Sequence, residues 1–375
     1  MSLHVGMVAR CLNTGHVRGM GRYVQELLLR SADEPGLRWT LFGNDPSQPL
    51  QARTGPAIQA DIFEFRGDRF DLWEQIGLPR RARSRQVDVL HCTEGALPWW
   101  QPVPTVVTVH DTLAWQERPD TPWNRLYWDR LLPAALHRCA AVITISESSK
   151  RDIVAKWPAL AAKTTVIPHG IGDEYLAADT PAAASELQRG LGTCPYLVYV
   201  GGPMARKRFD WALQVLHACG RDDLQLVACG FGSSAVGAAR ESVPPGLRAR
   251  VHFAPFLSNE QLLALYRGAR AVLYPTLYEG FGFPAIEAQA AGVPVVFSPV
   301  SSLTELVGPL ALLAPADEMS TWCARVHEAV GLGTHRAELA QAARTWARQF
   351  SWVESARKHL AVYQQVAAQC RTAAH

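Results

Sequence analysis

Two glutamates bracket a glycine-rich turn in the stretch YEGFGFPAIEAQ, residues 278–289. Glu279 comes just before the turn, and Pro284 suits the first position of a helix. Glu287 is then expected in the first turn of that helix, where a carboxylate also stabilises the helix dipole. Glu279 has no helix of its own to cap. A carboxylate in that position points to a ligand, and ionised carboxylates accept hydrogen bonds from hydroxyl groups.

The turn between the glutamates contains Phe281, Gly282 and Phe283. Glycine allows the backbone to turn tightly or to approach a bound molecule closely. The backbone N–H groups of these three residues are expected to point toward the mouth of the loop. They are therefore candidates for donor groups to a ligand.

A basic turn occurs in GGPMARKRFDWAL, residues 201–213. Arg206 and Lys207 lead into a predicted helix, where cations oppose the positive end of the helix dipole. The placement becomes favourable if an anion lies between them. Arginine offers a planar fork to two phosphate oxygens and lysine a mobile point charge. The alternative is a solvated basic turn, which Arg208 in particular fits. Hydroxyl-binding glutamates and phosphate-binding cations together suit a ligand that carries both groups.

His110 and Asp111 follow the predicted strand in VTVHDTLAW. A histidine beside a carboxylate can donate hydrogen bonds and titrate near neutral pH. The alternative is a histidine bonded to local backbone, with Asp111 capping the next turn. Ligands of open α/β sheets bind beyond the carboxyl ends of the strands, which favours a functional role for the pair.

Glycines crowd the loop NTGHVRGMGRYVQELLLR, residues 13–30. Gly15, Gly19 and Gly21 precede or open a helix predicted to begin near Gly21 or Arg22. A helix N-terminus after such a loop exposes N–H groups that bind phosphate. A loop that merely needs flexibility is the alternative, because glycine spacing alone is a weak signal.

The elements that must position these groups are short apolar runs that alternate with helix-length amphipathic segments. Such runs indicate parallel strands buried on both faces. The series restarts after a break near residues 172–190, which predicts two doubly wound α/β domains at 1–175 and 176–351. The C-terminal segment 352–375 contains an amphipathic helix. The predicted strands lie at 3–12, 37–43, 61–65, 87–93, 105–111, 140–146, 164–170, 195–202, 224–230, 250–256, 269–276 and 293–299.

The composition excludes several classes of protein. Hydrophobic residues make up 48% and charged residues 19%, which is typical of a globular chain. The net charge of +3 is too small to indicate a nucleic-acid partner. None of the eight cysteines forms a CxxC pair, so we expect reduced thiols and no metal cluster. We find no signal peptide and no membrane span, and therefore expect a cytoplasmic protein.

With these residues in place, the chain resembles the retaining GT-B glycosyltransferases of family 4 over nearly its whole length. The paired glutamates of EGFGFPAIE, separated by seven residues, are similar to the motif of that family. The other matching stretches are GMGRYVQEL (19–27), VTVHD (107–111), ITISESSKRDI (143–153), VIPHGI (166–171), YVGG with the following RK (199–207) and LSNEQLLALYRGA (257–269).

The resemblance implies a GT-B fold, in which two Rossmann-like domains face a cleft. It implies that the second domain holds a nucleotide-diphosphate sugar, with Glu279 on the sugar hydroxyls and Glu287 on the ribose. Arg206 and Lys207 would bind the diphosphate. The first domain would bind the acceptor and place His110, Gly19 and Gly21 near the sugar and the phosphates. Segment 352–375 would return to the first domain.

Two positions depart from the family pattern. Arg208 stands where Asn often follows the Arg-Lys pair, and His169 stands where Asn often precedes the glycine of the VIP turn. The chain has no Asp-x-Asp motif, through which other glycosyltransferases recruit a metal. We therefore expect no cofactor and a metal-independent reaction.

The resemblance is greatest to the bacterial enzymes that build surface polysaccharides, many of which use GDP-mannose or a related GDP-sugar. The alternatives are a UDP-sugar transferase, an inactive nucleotide-sugar-binding scaffold and a sugar-nucleotide epimerase. A glycan or lipid-linked oligosaccharide is the expected acceptor. Tryptophans and arginines at 99–104 and 121–138 suit either a peripheral contact with the inner face of the cytoplasmic membrane or ordinary packing.

Overall fold

The computed structural model describes residues 2–14, 17, 19–52, 55–65, 72–116, 121–177 and 184–373, with the side chains of 372 and 373 excepted. The chain forms two compact units. Unit 1 comprises Met1–Gly170 and Phe350–His375, and unit 2 comprises Ile171–Gln349. The predicted division at 175 and 351 differs from these limits by a few residues.

Unit 1 is built on a parallel sheet with the strand order β3-β2-β1-β4-β5-β6-β7. Its central strands are almost entirely buried because helices cover both faces, which is why they read as continuous apolar runs. The strands are Leu3–Val8 (β1), Leu37–Gly43 (β2), Ile58–Ile62 (β3), Val89–Cys92 (β4), Thr105–Val109 (β5), Ala141–Thr144 (β6) and Thr164–Val166 (β7).

The helices of unit 1 include one from the far end of the sequence. Helix α15, Trp352–Ala373, packs against helix α1, Gly19–Ser31, and against β1 and β4, so this late segment completes the core of the first sheet. Two π-helical stretches, Trp73–Gly77 and Tyr127–Leu131, lead into α2 and α5. The helices are Gly19–Ser31 (α1), Leu78–Ser84 (α2), Leu113–Gln116 (α3), Pro122–Leu126 (α4), Leu132–Arg138 (α5), Glu147–Lys156 (α6) and Trp352–Ala373 (α15).

Unit 2 contains a second parallel sheet with the strand order β10-β9-β8-β11-β12-β13. The strands are Tyr196–Val200 (β8), Gln225–Cys229 (β9), Val251–Phe253 (β10), Ala271–Tyr274 (β11), Val295–Phe297 (β12) and Ala311–Leu313 (β13). The helices are Asp173–Leu176 (α7), Glu186–Leu191 (α8), Phe209–Ala218 (α9), Ser233–Ser242 (α10), Asn259–Gly268 (α11), Phe283–Ala290 (α12), Met319–Gly331 (α13) and His335–Ala347 (α14).

The two parallel sheets confirm the predicted α/β class, and a strand overlaps each predicted run. The prediction missed β13, which has three half-buried residues and is too short to show a pattern. It also placed β3 at 61–65, whereas the strand begins at Ile58. The pairing of Ile58 with Trp39 on β2 sets this register, and a sequence pattern cannot show that pairing.

The strand orders place a topological switch point in each unit. In unit 1 the chain reverses direction across the sheet between β1 and β4, and in unit 2 between β8 and β11. Crevices that bind ligands form at such points, beyond the carboxyl ends of the strands. The loops that follow these four strands are therefore the first places to look for a site.

None of the helices within the described ranges is both long and apolar enough to cross a bilayer. All eight cysteines are free, and Cys92, Cys139, Cys219 and Cys229 are buried.

Candidate functional site

Arg206, Lys207 and Glu279 meet at the switch point of unit 2. Lys207 Nζ donates a short hydrogen bond to Glu279 Oε1, and Arg206 Nη1 lies 3.4 Å from the same oxygen. The lysine and the glutamate are about nine-tenths buried. The sequence placed these groups on separate loops with opposite charges, and the structure brings them into direct contact.

Backbone bonds hold the two loops together. Leu277 N–H, after β11, donates to the carbonyl of Arg206 at 2.9 Å, and Arg206 Nη1 donates to the carbonyl of Tyr278 at 2.8 Å. The loop after β8 turns at Gly202, whose φ of +65° is left-handed. A Cβ there would lie 2.5 Å from the carbonyl oxygen of Gly230, so a side chain cannot be accommodated without a backbone shift. The cations are therefore carried by a rigid turn.

Arg208 belongs to the same turn but points to different partners. Its Nη1 donates to the carbonyl of Ala316 and to Asp317 Oδ1, both at 2.8 Å, and its guanidinium lies 4.3 Å from the ring centre of Trp211. Its φ is +53°, a left-handed conformation that asparagine tolerates better than most residues. Arg208 therefore occupies a backbone conformation that asparagine would adopt at lower cost.

The turn after Glu279 is fixed by two serines. Glu279 N–H donates to Ser301 Oγ at 2.8 Å, and Ser302 Oγ donates to the carbonyls of Glu279 and Phe281 at 2.8 and 3.0 Å. Gly282 has a φ of +104°. The Phe281 and Phe283 rings meet edge to face at 5.1 Å. Ser301 and Ser302 could not be assigned to this turn from the sequence, because they follow a different strand, β12.

Glu287 is not in the first turn of its helix, contrary to the prediction. Helix α12 begins at Phe283, which leaves its first turn without an acidic residue and places Glu287 in the second turn. The explanation of Glu287 by the helix dipole is therefore wrong. The side chain is only 4% exposed, and the hydroxyl of Tyr266 donates to its Oε2 at 3.4 Å. A buried carboxylate with a defined donor is a pre-positioned acceptor.

The charges of both glutamates, Glu279 and Glu287, act on the hydroxyl of Tyr274. Burial and then the nearby charge of Glu279 raise the pKa of Tyr274 well above its ordinary value, and Glu287 adds to the effect. The phenol therefore stays neutral, and its oxygen lies 3.2 Å from Lys207 Nζ. Lys207 is held between this oxygen and Glu279. Tyr274 is the last residue of β11 and lies in an apolar run, so nothing in the sequence marked it as a residue of the site.

His110 lies in unit 1, directly after β5. Its Nε2–H donates to the carbonyl of Thr93 at 2.8 Å, which fixes the tautomer and leaves the lone pair on Nδ1. Burial lowers the pKa of His110; the bond to Thr93 and the charges of Asp111 and Glu94 oppose that shift. The ring is thus neutral near pH 7 and can accept a hydrogen bond.

Asp111 makes the local bond that the alternative interpretation anticipated. Its Oδ1 accepts from the N–H of Leu113 at 3.0 Å, at the start of α3. At the switch point of this unit, Arg10 Nη2 pairs with Glu94 Oε2 at 3.0 Å, and both side chains are about nine-tenths buried. These two residues follow β1 and β4. Sequence reasoning missed them because they stand alone, far apart in the chain.

The glycines of the first loop differ in their surroundings. Gly19 begins α1 with nothing within 4 Å of the Cβ it lacks. A Cβ at Gly21 would lie 2.5 Å from Val17 and 2.9 Å from the carbonyl of Cys11. Close packing therefore explains the glycine at position 21, whereas the space around Gly19 is open. Gly15 lies outside the described residues.

Two family comparisons match successive parts of the chain. Residues 17–175 match the family described as Glycosyltransferase Family 4, and residues 194–331 match the family described as Glycosyl transferases group 1. These segments carry His110 and Glu279, respectively.

Curated relatives agree with the family comparison. A D-inositol 3-phosphate glycosyltransferase of Salinispora arenicola is 30% identical, over 93% of this chain and 88% of the relative. O-antigen chain mannosyltransferase B of Escherichia coli is 27% identical over 253 residues, which are 66% of each chain.

Solved structures share the fold. A sucrose-phosphate synthase of Thermosynechococcus elongatus superposes with a TM-score of 0.77 at 20% identity, covering 98% of this chain and 100% of the other. WaaG, a glycosyltransferase involved in lipopolysaccharide biosynthesis, gives a TM-score of 0.72 at 15% identity, covering 95% and 98%. The paired parallel sheets, the family matches and the relatives agree: the chain belongs to glycosyltransferase family 4.

Proposed function

We propose that the protein is a retaining glycosyltransferase that moves a hexose from GDP-mannose, or a related GDP-sugar, to an acceptor in bacterial surface polysaccharide biosynthesis. The acceptor is a glycan or a lipid-linked glycan. The main support for a donor site in unit 2 is the contact of Lys207 and Arg206 with Glu279. The contact brings two cations and a carboxylate together at one switch point, and in this proposal the cations bind the diphosphate and the carboxylate binds the sugar hydroxyls.

The proposed reaction breaks the bond between the anomeric carbon and a phosphate oxygen. Negative charge develops on the leaving diphosphate, and the fixed cations Arg206 and Lys207 stabilise it without reorganising. Glu279 orients the sugar through its hydroxyls, and Phe281–Phe283 form the turn beside it. Glu287, buried one turn into α12, accepts hydrogen bonds from the ribose.

Unit 1 binds the acceptor in this proposal. The lone pair of His110 Nδ1 accepts a hydrogen bond from a sugar hydroxyl, because the other ring nitrogen is occupied by Thr93. Asp111 orients the loop through its bond to Leu113. Gly19 lets α1 begin without a side chain and so leaves its N-terminus open to phosphate.

The donor base is tested by thermal unfolding with GDP, UDP, ADP and dTDP in turn. We expect GDP to raise the melting temperature, because a ligand at 100 times its Kd stabilises a protein by about 2.7 kcal/mol. The relatives named as mannosyltransferases support this choice. The alternative of a UDP-sugar is supported by the related fold of HepE, solved with UDP-glucose.

A shift with UDP alone would show that the donor is a UDP-sugar and not a GDP-sugar. The proposal that the protein is a glycosyltransferase would be unaffected. If no nucleotide shifts the melting temperature, the result would favour the alternative hypothesis that the protein is an inactive scaffold. Release of free nucleotide only in the presence of acceptor distinguishes transfer from epimerisation.

We expect full activity in excess EDTA. Arg206 and Lys207 supply at the diphosphate the positive charge that a metal ion supplies in other glycosyltransferases, and the sequence has no Asp-x-Asp motif. Transfer is measured with and without EDTA, after the enzyme has been purified in chelator. Activity that EDTA abolishes and a divalent ion restores would contradict the proposal.

Retention of the anomeric configuration is proposed from the family. We favour a same-face reaction in which the leaving phosphate helps to deprotonate the acceptor. Mass spectrometry of the enzyme during turnover is expected to show no covalent adduct; a trapped glycosyl-enzyme would replace this step by a double displacement.

A tryptophan-lined cavity in unit 1 supports a membrane contact. Trp99, Trp100 and Trp123 are at least 40% exposed, and all three line a cavity of about 310 Å³. The rest of its lining is aliphatic apart from Gln75. Clustered exposed apolar groups mark interaction sites, and tryptophan is enriched at the membrane interface. The guanidinium of Arg138 lies 4.2 Å from the Trp99 ring centre, so positive charge borders the cavity.

We expect the protein to float with vesicles that contain phosphatidylglycerol and less with pure phosphatidylcholine. The variant Trp99→Ala/Trp123→Ala is expected to lose this binding. Phe256→Ala removes an exposed aromatic ring from unit 2 and is the matched control. Equal flotation of all three proteins, or none of the wild type, would end the membrane proposal.

A further inference from the structure

A chain of hydrogen bonds runs through the core of unit 1 and both begins and ends on α15. Its members are buried, and they come from α15, α1, β4 and β5. The successive pairs are Tyr363 Oη with His91 Nδ1 at 2.7 Å, His91 Nε2 with Thr108 Oγ1 at 2.8 Å, Thr108 Oγ1 with Tyr23 Oη at 2.9 Å, Tyr23 Oη with His359 Nε2 at 2.7 Å, and His359 Nδ1 with the Ser355 carbonyl at 2.7 Å.

One end of the chain determines the direction of every bond. The carbonyl of Ser355 can only accept, so His359 Nδ1 carries the proton. Burial lowers the pKa of His359 to about 4, and the ring is therefore neutral and accepts at Nε2 from Tyr23. The oxygen of Tyr23 then accepts from Thr108. Thr108 in turn accepts from His91 Nε2–H, which leaves His91 Nδ1 to accept from Tyr363.

The strand geometry links this chain to His110. Thr108 lies near the end of β5, and His110 directly follows the strand. Because the two residues are two positions apart, their side chains project to the same face of the sheet. Tyr23 spans the two positions: its hydroxyl bonds to Thr108, and its ring meets the His110 ring at 5.1 Å and 86°. His110 is thus held by the Thr93 carbonyl at one nitrogen and by the Tyr23 ring beside it.

We propose that Tyr23 is a positioning residue for His110, and that α15 holds Tyr23 in place through His359. The inference rests on the proposed role of His110 in transfer. The Tyr23 hydroxyl is bonded on both sides, so its ring has one position. That ring blocks rotation of the imidazole and keeps the His110 Nδ1 lone pair aimed in one direction.

The variant Tyr23→Phe tests the positioning. It keeps the buried ring but removes the two hydrogen bonds that fix its position, so we expect the ring to shift slightly against His110. We expect kcat to fall about tenfold, with the KM for the donor changed less than about twofold, because small misplacements of a reacting group lower the rate steeply. In the ¹⁵N spectrum of labelled histidines, the His110 signals are expected to shift and broaden, because the ring then samples orientations other than the one bonded to Thr93.

Tyr363→Phe is the matched control. It removes a buried hydroxyl from the far end of the same chain, and its ring contacts His91 and His359. We expect a similar fall in melting temperature with kcat within about twofold of the wild type. Equal losses of kcat in the two variants would show that the chain only stabilises unit 1, and would overturn the proposal.

The spectrum separates this inference from the proposed function. If His110→Ala transfers sugar at the wild-type rate, the role of His110 is wrong, and the spectrum of Tyr23→Phe still decides whether Tyr23 fixes its ring. An unchanged His110 signal in Tyr23→Phe would overturn the positioning, whatever the activity.

Discussion

Replacing Lys207 with methionine is expected to lower kcat by a factor of about 10²–10³, the usual effect of removing one preorganised group that stabilises developing negative charge. Methionine keeps the unbranched stem and removes only the ammonium group. The loss has a second part, because Glu279 keeps its burial and loses its shorter ion pair. The rate is measured with saturating donor and acceptor, and donor binding by the nucleotide-induced thermal shift.

Arg208→Met is the matched control for this prediction. It removes one positive charge from the same turn, but from a side chain that binds Ala316 and Asp317. We expect kcat within about twofold of the wild type. The double variant Lys207→Met/Glu279→Gln should regain melting temperature without regaining the rate. If Lys207→Met and Arg208→Met lose kcat equally, the net charge of the turn matters rather than the contact with Glu279.

Acid is expected to unfold unit 1 well before unit 2. Burial lowers the pKa values of His91, His169 and His359, the last to about 4. In the unfolded chain these side chains bind protons below about pH 6.5. Between pH 6.5 and about 4 the unfolded state therefore holds more protons, and stability falls as the pH falls. Below about pH 6.5, each of the three histidines lowers the stability of unit 1 by at most about 1.4 kcal/mol per pH unit.

Hydrogen exchange followed by mass spectrometry measures this effect for each unit separately. Peptides from β4, β5 and α15 should exchange faster as the pH falls, after correction for the intrinsic rate. Peptides from unit 2 are the internal control. His359→Gln should remove about one proton from the pH dependence of unit 1. A pH dependence that is equal in the two units would contradict the role of the buried histidines.

Much of the fold could be predicted because parallel strands buried on both faces have a distinctive pattern. The pattern failed for β13, whose three residues carry too little signal, and for the start of β3, which depends on pairing with β2. The first turn of α12 was misplaced by one residue. That shift moved Glu287 into the second turn and removed the dipole argument, because helix ends depend on local geometry that composition does not show.

The candidate site was predicted only in part, for a related reason. Arg206, Lys207 and Glu279 stood out because charge at strand ends is unusual. Their partners did not: Tyr274 and Ser302 are ordinary residues whose importance comes from long-range contacts. The same holds for Tyr23, His359 and Tyr363. Each suits an amphipathic helix, and only the folded chain shows that they share hydrogen bonds.

The return of α15 to unit 1 has a consequence for synthesis on the ribosome. Tyr23, His91 and Thr108 leave the exit tunnel long before His359 and Tyr363, with all of unit 2 translated in between. Unit 2 is continuous in sequence and can complete its core first. Until α15 emerges, the Tyr23 hydroxyl lacks its partner His359 and His91 Nδ1 lacks its partner Tyr363, so the core of nascent unit 1 is incomplete. A fragment that ends at Gly170 lacks α15 and would keep an incomplete core.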